Sequence, residues 1–296
     1  MSRPLGILAR PLGVLAQPLA ILARPLAAAA LALSTAAAVP AQGLGRYADV
    51  NGIHMYYELH GTGRPLVLIH GGGSTINTSF GRIMPMLAKS HRVIAVELQA
   101  HGRTSDRGVP SSFQQDADDV AELLRQLGVA KADILGFSNG ASTALQIAIR
   151  HPARVSKVVA ISGIYRRDGM PPEFWRFMKQ GGFADMPQVY KDEFLRLTPD
   201  TAKLRTMHDR DRTRMLTFRD WPASSLRAIA APVLVVSSDK DVVRPEHAVE
   251  MMRLLPHGQL AIFPGRHGEF FGEIEYPRTD SRVPELFVAL VDEFLK

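Results

Sequence analysis

The sequence predicts an α/β fold with a mostly parallel β-sheet. From residue 46 onward, short apolar runs rich in Val, Ile and Leu alternate with longer segments that have the apolar spacing of amphipathic helices. This alternation is typical of right-handed β-α-β crossovers, which place helices on both faces of a parallel sheet. A chain of 296 residues with 46% hydrophobic content is also long and apolar enough for a large core. In such a sheet we expect functional groups at the carboxyl ends of the strands.

The strands begin with a hairpin. Residues 46–50 and 53–60 flank Asn51-Gly52, a dipeptide that favours a type I′ turn because both central residues take positive φ. Residues 65–69 are a continuous apolar run, as expected of a strand covered on both faces. The further predicted elements are a helix at 80–90, strand 92–98, helix 113–127, strand 132–135, helix 141–150, strand 155–162, strand 232–237, helix 246–255, strand 259–263 and helix 283–294.

The alternation is interrupted between residues 164 and 222. This segment is rich in Met, Phe, Trp, Arg and Asp and predicts several helices without a strand. We interpret residues 164–222 as a helical cap inserted over the functional site, with residues 42–163 and 223–296 forming the core domain. Within the cap, residues 208–212 alternate in charge, which predicts a solvated helix face.

The N-terminal part of the chain predicts a removable leader. Residues 3–30 repeat with a period of seven, and the proline in each repeat is incompatible with a helix interior or a coiled coil. An uncharged apolar run, residues 26–39, precedes the small residues around Ala41 that a signal peptidase requires. We predict cleavage after Ala41 and export to the periplasm or the medium. The alternatives are a disordered cytoplasmic extension and a permanent anchor, but the run is shorter than the ~20 residues of a membrane-spanning helix.

Charge and motif content favour a small-molecule partner. The formal charge is +6, but Arg3, Arg10 and Arg24 lie in the leader, and the rest of the chain has 32 basic and 29 acidic residues, a net charge of +3. Nucleic acid is therefore not an expected partner. The absence of cysteine excludes disulfides and thiolate sites. No metal-binding or phosphate-binding motif occurs, so we expect no cofactor, no metal and no stable membrane anchor; the oligomeric state stays open.

The stretch Gly136-Phe137-Ser138-Asn139-Gly140 predicts a nucleophile. It lies between the predicted strand at 132–135 and the predicted helix at 141–150, so Ser138 is placed on a sharp strand-to-helix turn. Glycines two residues on either side remove side chains that would clash in such a turn. The turn also places the serine oxygen at a helix N-terminus. A serine hydroxyl is a weak nucleophile, so it requires a base and donors for an oxyanion.

Three further motifs follow predicted strands in the order that a catalytic site would need. His70-Gly71-Gly72-Gly73 follows the strand at 65–69, two acidic residues, Asp239 and Asp241, follow the strand at 232–237, and His267 follows the strand at 259–263. With a glycine-flanked serine and the order Ser, Asp, His, the chain resembles the α/β-hydrolase superfamily from about residue 47 to its C-terminus. The resemblance implies an eight-stranded, mostly parallel sheet with a helical cap.

The resemblance also implies a role for each of these residues. Ser138 would be the nucleophile, His267 the general base and then the acid, and Asp241 the carboxylate that orients the imidazole. Asp241 is preferred over Asp239 because the acid of the family stands three residues after a glycine and four before a proline, which correspond here to Ser238 and Pro245. Asp239 remains the alternative.

The expected oxyanion hole consists of backbone N–H groups. One is the N–H of Asn139, which follows the nucleophile, and the other is that of Gly72 or Gly71. As pocket residues we expect Gly73, Phe137, Trp175 and Met178, although aromatic and methionine side chains of the cap could equally pack against the core. Other acidic residues have simpler roles. Asp116, Asp118 and Asp119 lie in the first turns of a predicted helix, where acids interact favourably with the helix dipole.

The chain departs from the family pattern at Ser238, Ala141, Glu97 and Ala100, none of which removes a catalytic group. A serine at position 138 argues against haloalkane dehalogenases and epoxide hydrolases of this fold, which use an aspartate there. The resemblance implies a cofactor-independent serine hydrolase that cleaves an ester-like bond of a small apolar substrate. The same residues also support carbon–carbon bond hydrolysis, lactone opening or peroxide-dependent chemistry. A hydrolase-fold module that binds a ligand without turnover is a further alternative.

Overall fold

The computed structural model describes residues 45–277 and 279–296, which are built around one β-sheet. In the described part of the chain the sheet has eight strands in the order β1-β2-β4-β3-β5-β6-β7-β8. The first two strands are antiparallel to their neighbours, and all remaining pairs are parallel. The predicted α/β fold is confirmed. The strands are β1 (Arg46–Val50), β2 (Ile53–His60), β3 (Arg64–Ile69), β4 (His91–Val96), β5 (Ala132–Phe137), β6 (Val155–Ile161), β7 (Val233–Lys240) and β8 (Gly258–Arg266).

Helices cover both faces of this sheet, because right-handed crossovers lie on opposite faces when the chain moves along the sheet in opposite directions, and the step from β3 to β4 runs opposite to the later parallel steps. One apolar cluster lies under the helices at residues 113–126, 139–150, 223–227 and 245–254, and a second lies under the helices at residues 76–80, 84–87 and 283–295. Every residue of β5, between these layers, is buried. The helices are α1 (Ile76–Phe80), α2 (Met84–Leu87), α3 (Phe113–Gln126), α4 (Asn139–Arg150), α5 (Pro172–Gln180), α6 (Gln188–Leu197), α7 (Thr201–Thr217), α8 (Ala223–Arg227), α9 (Pro245–Leu254) and α10 (Val283–Leu295).

The predicted single helix at residues 80–90 is wrong. The chain forms two short helices there, and the first begins earlier, at a capping box in which the Thr75 and Thr78 side chains each bond the other's backbone. Gly81 ends α1, and Pro85 lies in the first turn of α2, where a proline is tolerated. The strong local signals at Thr75 and Gly81 therefore outweigh the apolar periodicity that suggested one helix.

The strand β8 is longer than predicted. The predicted strand ends at residue 263, before Pro264-Gly265. In the structure, pairing with β7 continues until Arg266 lies opposite Lys240. A shift in register between Ser238 and Lys240 accommodates the extra residues. As a result β7 and β8 end almost together, directly before Asp241 and His267.

Between β6 and β7 the chain contains helices α5 to α8 and no strand, all within described residues. The boundaries of the cap at 164 and 222 stay a prediction. The predicted leader, residues 1–41, lies outside the described residues, and so does its proposed cleavage site. Among the described residues, none of the helices combines the length and the apolar character that crossing a bilayer requires.

The prediction of a solvated face for residues 208–212 is wrong at Asp211, which is only 8% exposed. Helix α7 turns Asp211 and Arg214 toward the core, and Arg214 Nη2 lies 2.8 Å from Asp116 Oδ2. Asp116 is itself completely buried, and Asp119 pairs with Arg107 at 2.6 Å. Asp116 and Asp119 of α3 therefore form ion pairs with Arg214 and Arg107, which lie outside this helix. The sequence pattern alone could not indicate these pairs.

Candidate active site

Ser138 occupies a strained turn between β5 and α4. Its backbone has φ 55° and ψ −117°, a conformation that a residue with a side chain rarely adopts. The flanking glycines are required by packing. A Cβ atom on Gly136 would overlap the carbonyl oxygen of Gly140, and one on Gly140 would overlap the carbonyl oxygen of Ile69. The turn is thus held against β3, and the serine lies at the N-terminus of α4.

Asp241 and His267 come together at the carboxyl ends of β7 and β8. The Nδ1 atom of His267 lies 2.7 Å from Asp241 Oδ1, and the Asp241 side chain is fully buried. The alternative acid, Asp239, instead accepts a hydrogen bond from the backbone N–H of Gly265 at 2.8 Å. The structure therefore brings Asp241 to the imidazole, and because Nδ1 is bound, Nε2 is the nitrogen left to face a nucleophile.

Asp241 is held by donors from its own loop and from β6. Val243 N donates to Oδ1 at 3.1 Å, and Ser238 Oγ donates to Oδ2 at 3.0 Å. Ser162, directly after β6, donates to Oδ2 at 2.5 Å and has a positive φ of 54°. Sequence reasoning missed Ser162. A serine immediately after a parallel strand next to β5 was a signal, but its partner is 79 residues away along the chain.

The charges of this pair reinforce each other. Burial alone would raise the pKa of Asp241, but the His267 charge and the hydrogen bonds that Asp241 accepts outweigh it and lower the pKa to about 2. Burial lowers the pKa of His267, yet the charge and hydrogen bond of Asp241 outweigh burial, and the net pKa is raised. The pair therefore favours an ionised carboxylate beside an imidazole that binds a proton readily.

The backbone N–H groups of the glycine loop have different partners. Gly71 N donates to Ser79 Oγ at 3.2 Å, and Gly73 N donates to Asp211 Oδ2 at 2.5 Å. Among the described residues, no acceptor forms a hydrogen bond with the backbone N–H of Gly72. Asn139 is the first residue of α4, where a backbone N–H has no carbonyl partner within the helix. Of the two predicted alternatives, Gly72 rather than Gly71 thus has a free N–H beside Asn139.

A cavity of about 260 Å³ contains both Ser138 and His267 in its wall. Gly72, Asn139 and Asp211 contribute to the same wall. The remaining surface is mostly apolar and comes largely from the segment between β6 and β7. Its apolar side chains are Met170, Phe174, Phe177, Met178, Met186, Pro187, Met215 and Val242. The site thus joins a polar end, where the serine lies, to a small apolar chamber.

The comparison with protein families agrees with this architecture. Residues 64–215 match the family model described as alpha/beta hydrolase fold. This segment is just over half of the 296-residue chain. The chain belongs to the alpha/beta hydrolase fold family. The predicted resemblance is confirmed, and membership of this family supports a hydrolase function.

Individual relatives of this α/β hydrolase share part of its length. It is 37% identical to the 2-hydroxymuconate semialdehyde hydrolase of Pseudomonas sp. (strain CF600) over 120 residues, which are 39% of this chain and 42% of the relative. It is 30% identical to the dihydrolipoyllysine-residue acetyltransferase component of the acetoin cleaving system of Pseudomonas putida over 240 residues, 73% of this chain and 62% of the relative. The chain therefore spans less than two thirds of either relative.

Among solved structures, the fold is similar to that of the 2-hydroxy-6-oxo-6-phenylhexa-2,4-dienoate hydrolase from Rhodococcus sp. strain RHA1. The TM-score is 0.69 at 18% identity, and the match covers 86% of this chain and 99% of the other. At this identity the likeness concerns the fold alone.

The predicted pocket residues of the hydrolase divide into two groups. Gly73 and Met178 line the cavity with Ser138. Phe137 instead packs beneath the site, with its ring centroid 4.6 Å from that of His267. Trp175 lies at a different cavity, where its Nε1 donates to the carbonyl oxygen of Arg167 at 2.8 Å. Helix α5 thus presents Met178 to the cavity of Ser138 and Trp175, rotated from it by about 60° around the helix axis, to the other cavity.

A second carboxyl group lies near His267 and was also missed from the sequence. Tyr190 of α6, which lines the cavity, donates to Glu273 Oε1 at 2.8 Å, and Glu275 N donates to Oε2 at 2.8 Å. Burial raises the pKa of Glu273 to about 7, although these hydrogen bonds and the His267 charge oppose the rise. This contact ties the helical segment to the loop that carries His267.

In residues 45–277 and 279–296, no group of three or more His, Asp or Glu side chains is arranged to hold a metal ion.

Proposed function

We propose that this α/β hydrolase is a serine hydrolase that cleaves an ester-like bond in a small, largely apolar substrate without a cofactor. The observation that carries the proposal is the 2.7 Å contact between His267 Nδ1 and Asp241 Oδ1, in a cavity whose wall also contains Ser138. A carboxylate that fixes an imidazole beside a serine on a strained turn is the arrangement that activates a hydroxyl nucleophile.

In the proposed reaction Ser138 Oγ attacks the substrate carbonyl carbon while His267 Nε2 takes the serine proton. The carbonyl oxygen becomes an oxyanion that accepts hydrogen bonds from the N–H groups of Gly72 and Asn139. When the tetrahedral species collapses, the imidazolium gives its proton to the departing alcohol and an acyl-enzyme remains. His267 then deprotonates a water molecule that attacks the acyl carbon, and the proton returns to Ser138 as the acid leaves.

The cavity supports a limited substrate size. A volume of about 260 Å³ whose apolar wall is formed mainly by Met and Phe side chains supports a short acyl or alcohol group as the part of the substrate that it holds. We therefore expect turnover to be highest with short-chain esters and to fall as the chain outgrows the chamber.

A second candidate is hydrolysis of a carbon–carbon bond in a diketone-like compound, for which the same three residues serve. The observation that favours it is the 37% identity over 120 residues to a 2-hydroxymuconate semialdehyde hydrolase. A panel that contains esters of graded chain length, lactones and ring-opened dienoates distinguishes this candidate by which class gives the highest kcat/KM.

The test compares Ser138→Ala with Ser224→Ala on the ester panel. Ser224 is an exposed serine of α8 and serves as the matched control. We expect Ser138→Ala to lose turnover by several orders of magnitude with an unchanged circular dichroism spectrum, while Ser224→Ala retains it, because only the first removes the proposed nucleophile. Equal turnover in both variants would refute the proposal. Tight ligand binding without turnover in the unmodified protein would favour a binding module instead.

A further inference from the structure

A buried ionic pair connects helix α7 to the glycine loop of the site. Asp211 Oδ2 lies 2.8 Å from His101 Nε2 and accepts the N–H of Gly73 at 2.5 Å. His101 follows β4 and is completely buried, while Asp211 is 8% exposed. The carboxylate from α7 is thus in direct contact with the backbone that carries the proposed oxyanion donor.

The hydrogen bonds of His101 determine its protonation. Its Nδ1 lies 2.9 Å from the carbonyl oxygen of Gln99, and a carbonyl oxygen can only accept. Its Nε2 faces the Asp211 carboxylate, which is acceptor-only when ionised. With Asp211 ionised, both ring nitrogens of His101 donate, and the ring is an imidazolium. Burial lowers the pKa of His101, but the Asp211 carboxylate outweighs burial and the net pKa is raised.

The neighbouring histidine, His70, differs from His101 in its protonation. His70 Nδ1 lies 2.7 Å from the carbonyl oxygen of Gly71, so it donates, whereas Nε2 accepts the N–H of Leu98 at 3.0 Å. His70 is therefore neutral, and burial together with the His101 charge lowers its pKa to about 3. The ring centroids of the two histidines are 4.7 Å apart. A neutral ring thus supports the glycine loop from below while the charged ring binds the carboxylate.

Arg214 and Asp116 add two further charges beside the ionic pair of His101 and Asp211. Arg214, one turn along α7, places Nη1 3.5 Å from Asp211 Oδ1 and Nη2 2.8 Å from Asp116 Oδ2. Burial raises the pKa of Asp211, but the charges of His101 and Arg214 and the Gly73 hydrogen bond lower it overall. Because every charge in this cluster is buried and paired, displacing α7 would leave charges without partners, which is costly.

We propose that Asp211 is a positioning residue for the oxyanion hole. It holds the Gly71–Gly73 loop through the Gly73 N–H, and the His101 imidazolium holds the carboxylate in place. Ser79 in the core binds the N–H of Gly71, and Asp211 of α7 binds the N–H of Gly73. The N–H of Gly72, between these two glycines, therefore points into the cavity only while α7 is packed in its observed position. This inference rests on the proposed function, because it assigns the loop an oxyanion to bind.

The test uses three variants of helix α7. Asp211→Ala removes the acceptor for Gly73, and Asp211→Asn keeps an oxygen acceptor while it removes the charge. Arg210→Ala is the matched control, since it breaks a neighbouring ion pair between α7 and Asp106, 2.7 Å long, without touching the glycine loop. We measure kcat and KM on a short-chain ester and the rate of labelling by a serine-reactive fluorophosphonate.

We expect Asp211→Ala to lower kcat and the labelling rate by about 30-fold, with KM changed less than about threefold, because the lost hydrogen bond matters most when the oxyanion forms. Asp211→Asn should recover most of this loss, and Arg210→Ala should stay within about twofold of the unmodified enzyme. Equal losses in Asp211→Ala and Arg210→Ala, or no loss in Asp211→Ala, would overturn the positioning role. Absence of labelling in the unmodified protein would instead refute the proposed function, and with it this role.

A spectroscopic readout is independent of turnover and of whether Asp211→Ala folds. Ring ¹⁵N chemical shifts of the unmodified protein at pH 7.5 should show both nitrogens of His101 protonated, and His70 with one bare nitrogen. In Asp211→Asn the imidazolium of His101 should lose a proton at lower pH than in the unmodified protein. A neutral His101 at pH 7.5 in the unmodified protein would contradict the ionic pair.

Discussion

Replacing Asp241 by Asn tests the acid of the proposed triad. Val243 N donates to Oδ1 at 3.1 Å, a shorter contact than that of Ser238 N with Oδ2 at 3.3 Å, so we expect the amide oxygen of the variant to occupy the Oδ1 position and still accept from His267 Nδ1. The substitution therefore removes the charge while it keeps the orienting contact. An imidazolium and a carboxylate whose charge centres are about 4 Å apart interact by about 4 kcal/mol at an effective dielectric constant of about 20. We thus expect kcat to fall about 1,000-fold.

The pH dependence of Asp241→Asn gives a second readout. In the proposed mechanism the active base is neutral His267, so kcat/KM of the unmodified enzyme should rise with pH through the raised pKa of this histidine, above its ordinary value near 6.5. Without the carboxylate, burial lowers the pKa of the imidazole, and the charges of Glu273 and Glu275 raise it less than Asp241 does. The acidic limb of the variant should therefore lie at lower pH than that of the unmodified enzyme, which stopped-flow or steady-state profiles on a short-chain ester would resolve.

Asp239→Asn is the control for this experiment. Asp239 lies two residues earlier and accepts the N–H of Gly265, a contact that an amide oxygen can replace. We expect its kcat to stay within about threefold of the unmodified enzyme, as for a peripheral neutral substitution. Asp241 would not be the orienting acid if Asp241→Asn kept kcat within tenfold, or if the 1,000-fold loss appeared in Asp239→Asn instead.

Three other substitutions give distinct outcomes. Gly72→Ala would place a Cβ 2.5 Å from Asn139 Nδ2, so we expect kcat to fall at least about 100-fold with a smaller change in KM, and a normal kcat would argue against this oxyanion hole. Glu273→Gln keeps an oxygen acceptor for Glu275 N, places an amide donor beside the Tyr190 hydroxyl oxygen, and removes an acid whose pKa is raised to about 7. Ionising that buried acid destabilises the folded state as pH rises from about 4.5 to 7. In urea unfolding, the free energy of unfolding of the variant should therefore exceed that of the unmodified protein by up to about 3 kcal/mol at pH 8.5 and by little at pH 4.5. A difference that does not depend on pH would contradict this expectation. Met178→Ala enlarges the apolar chamber and should shift the preferred ester toward longer acyl chains, whereas the same profile as the unmodified enzyme would show that Met178 does not limit chain length.

Much of the fold could be predicted because its signals are local. The period of apolar residues located the strands, the glycines beside Ser138 marked the turn, and parallel pairing then forces Asp241 and His267 to the same edge of the sheet. The helix at 80–90 was wrong for a related reason. A capping box at Thr75 and a glycine at position 81 are equally local, and they set the bounds of α1 although the apolar spacing continues beyond them.

The contacts that could not be predicted join residues far apart in sequence. His101 and Asp211 are separated by 110 positions, and the alternating charges around Asp211 are typical of a solvated helix. Only the packing of α7 on the core shows which acid of that run is buried. Ser162 and Glu273 are similar cases, since each is recognised by its partner, Asp241 or Tyr190, rather than by a motif.

The most direct test of the central claim is to identify the residue that a fluorophosphonate modifies. Intact mass should show a single adduct on the unmodified protein, and peptide mapping should place it on Ser138, with an inactivation rate that rises with pH as His267 loses its proton. Retained ester turnover with no adduct, or an adduct on a different residue that accounts for the loss of activity, would contradict the account.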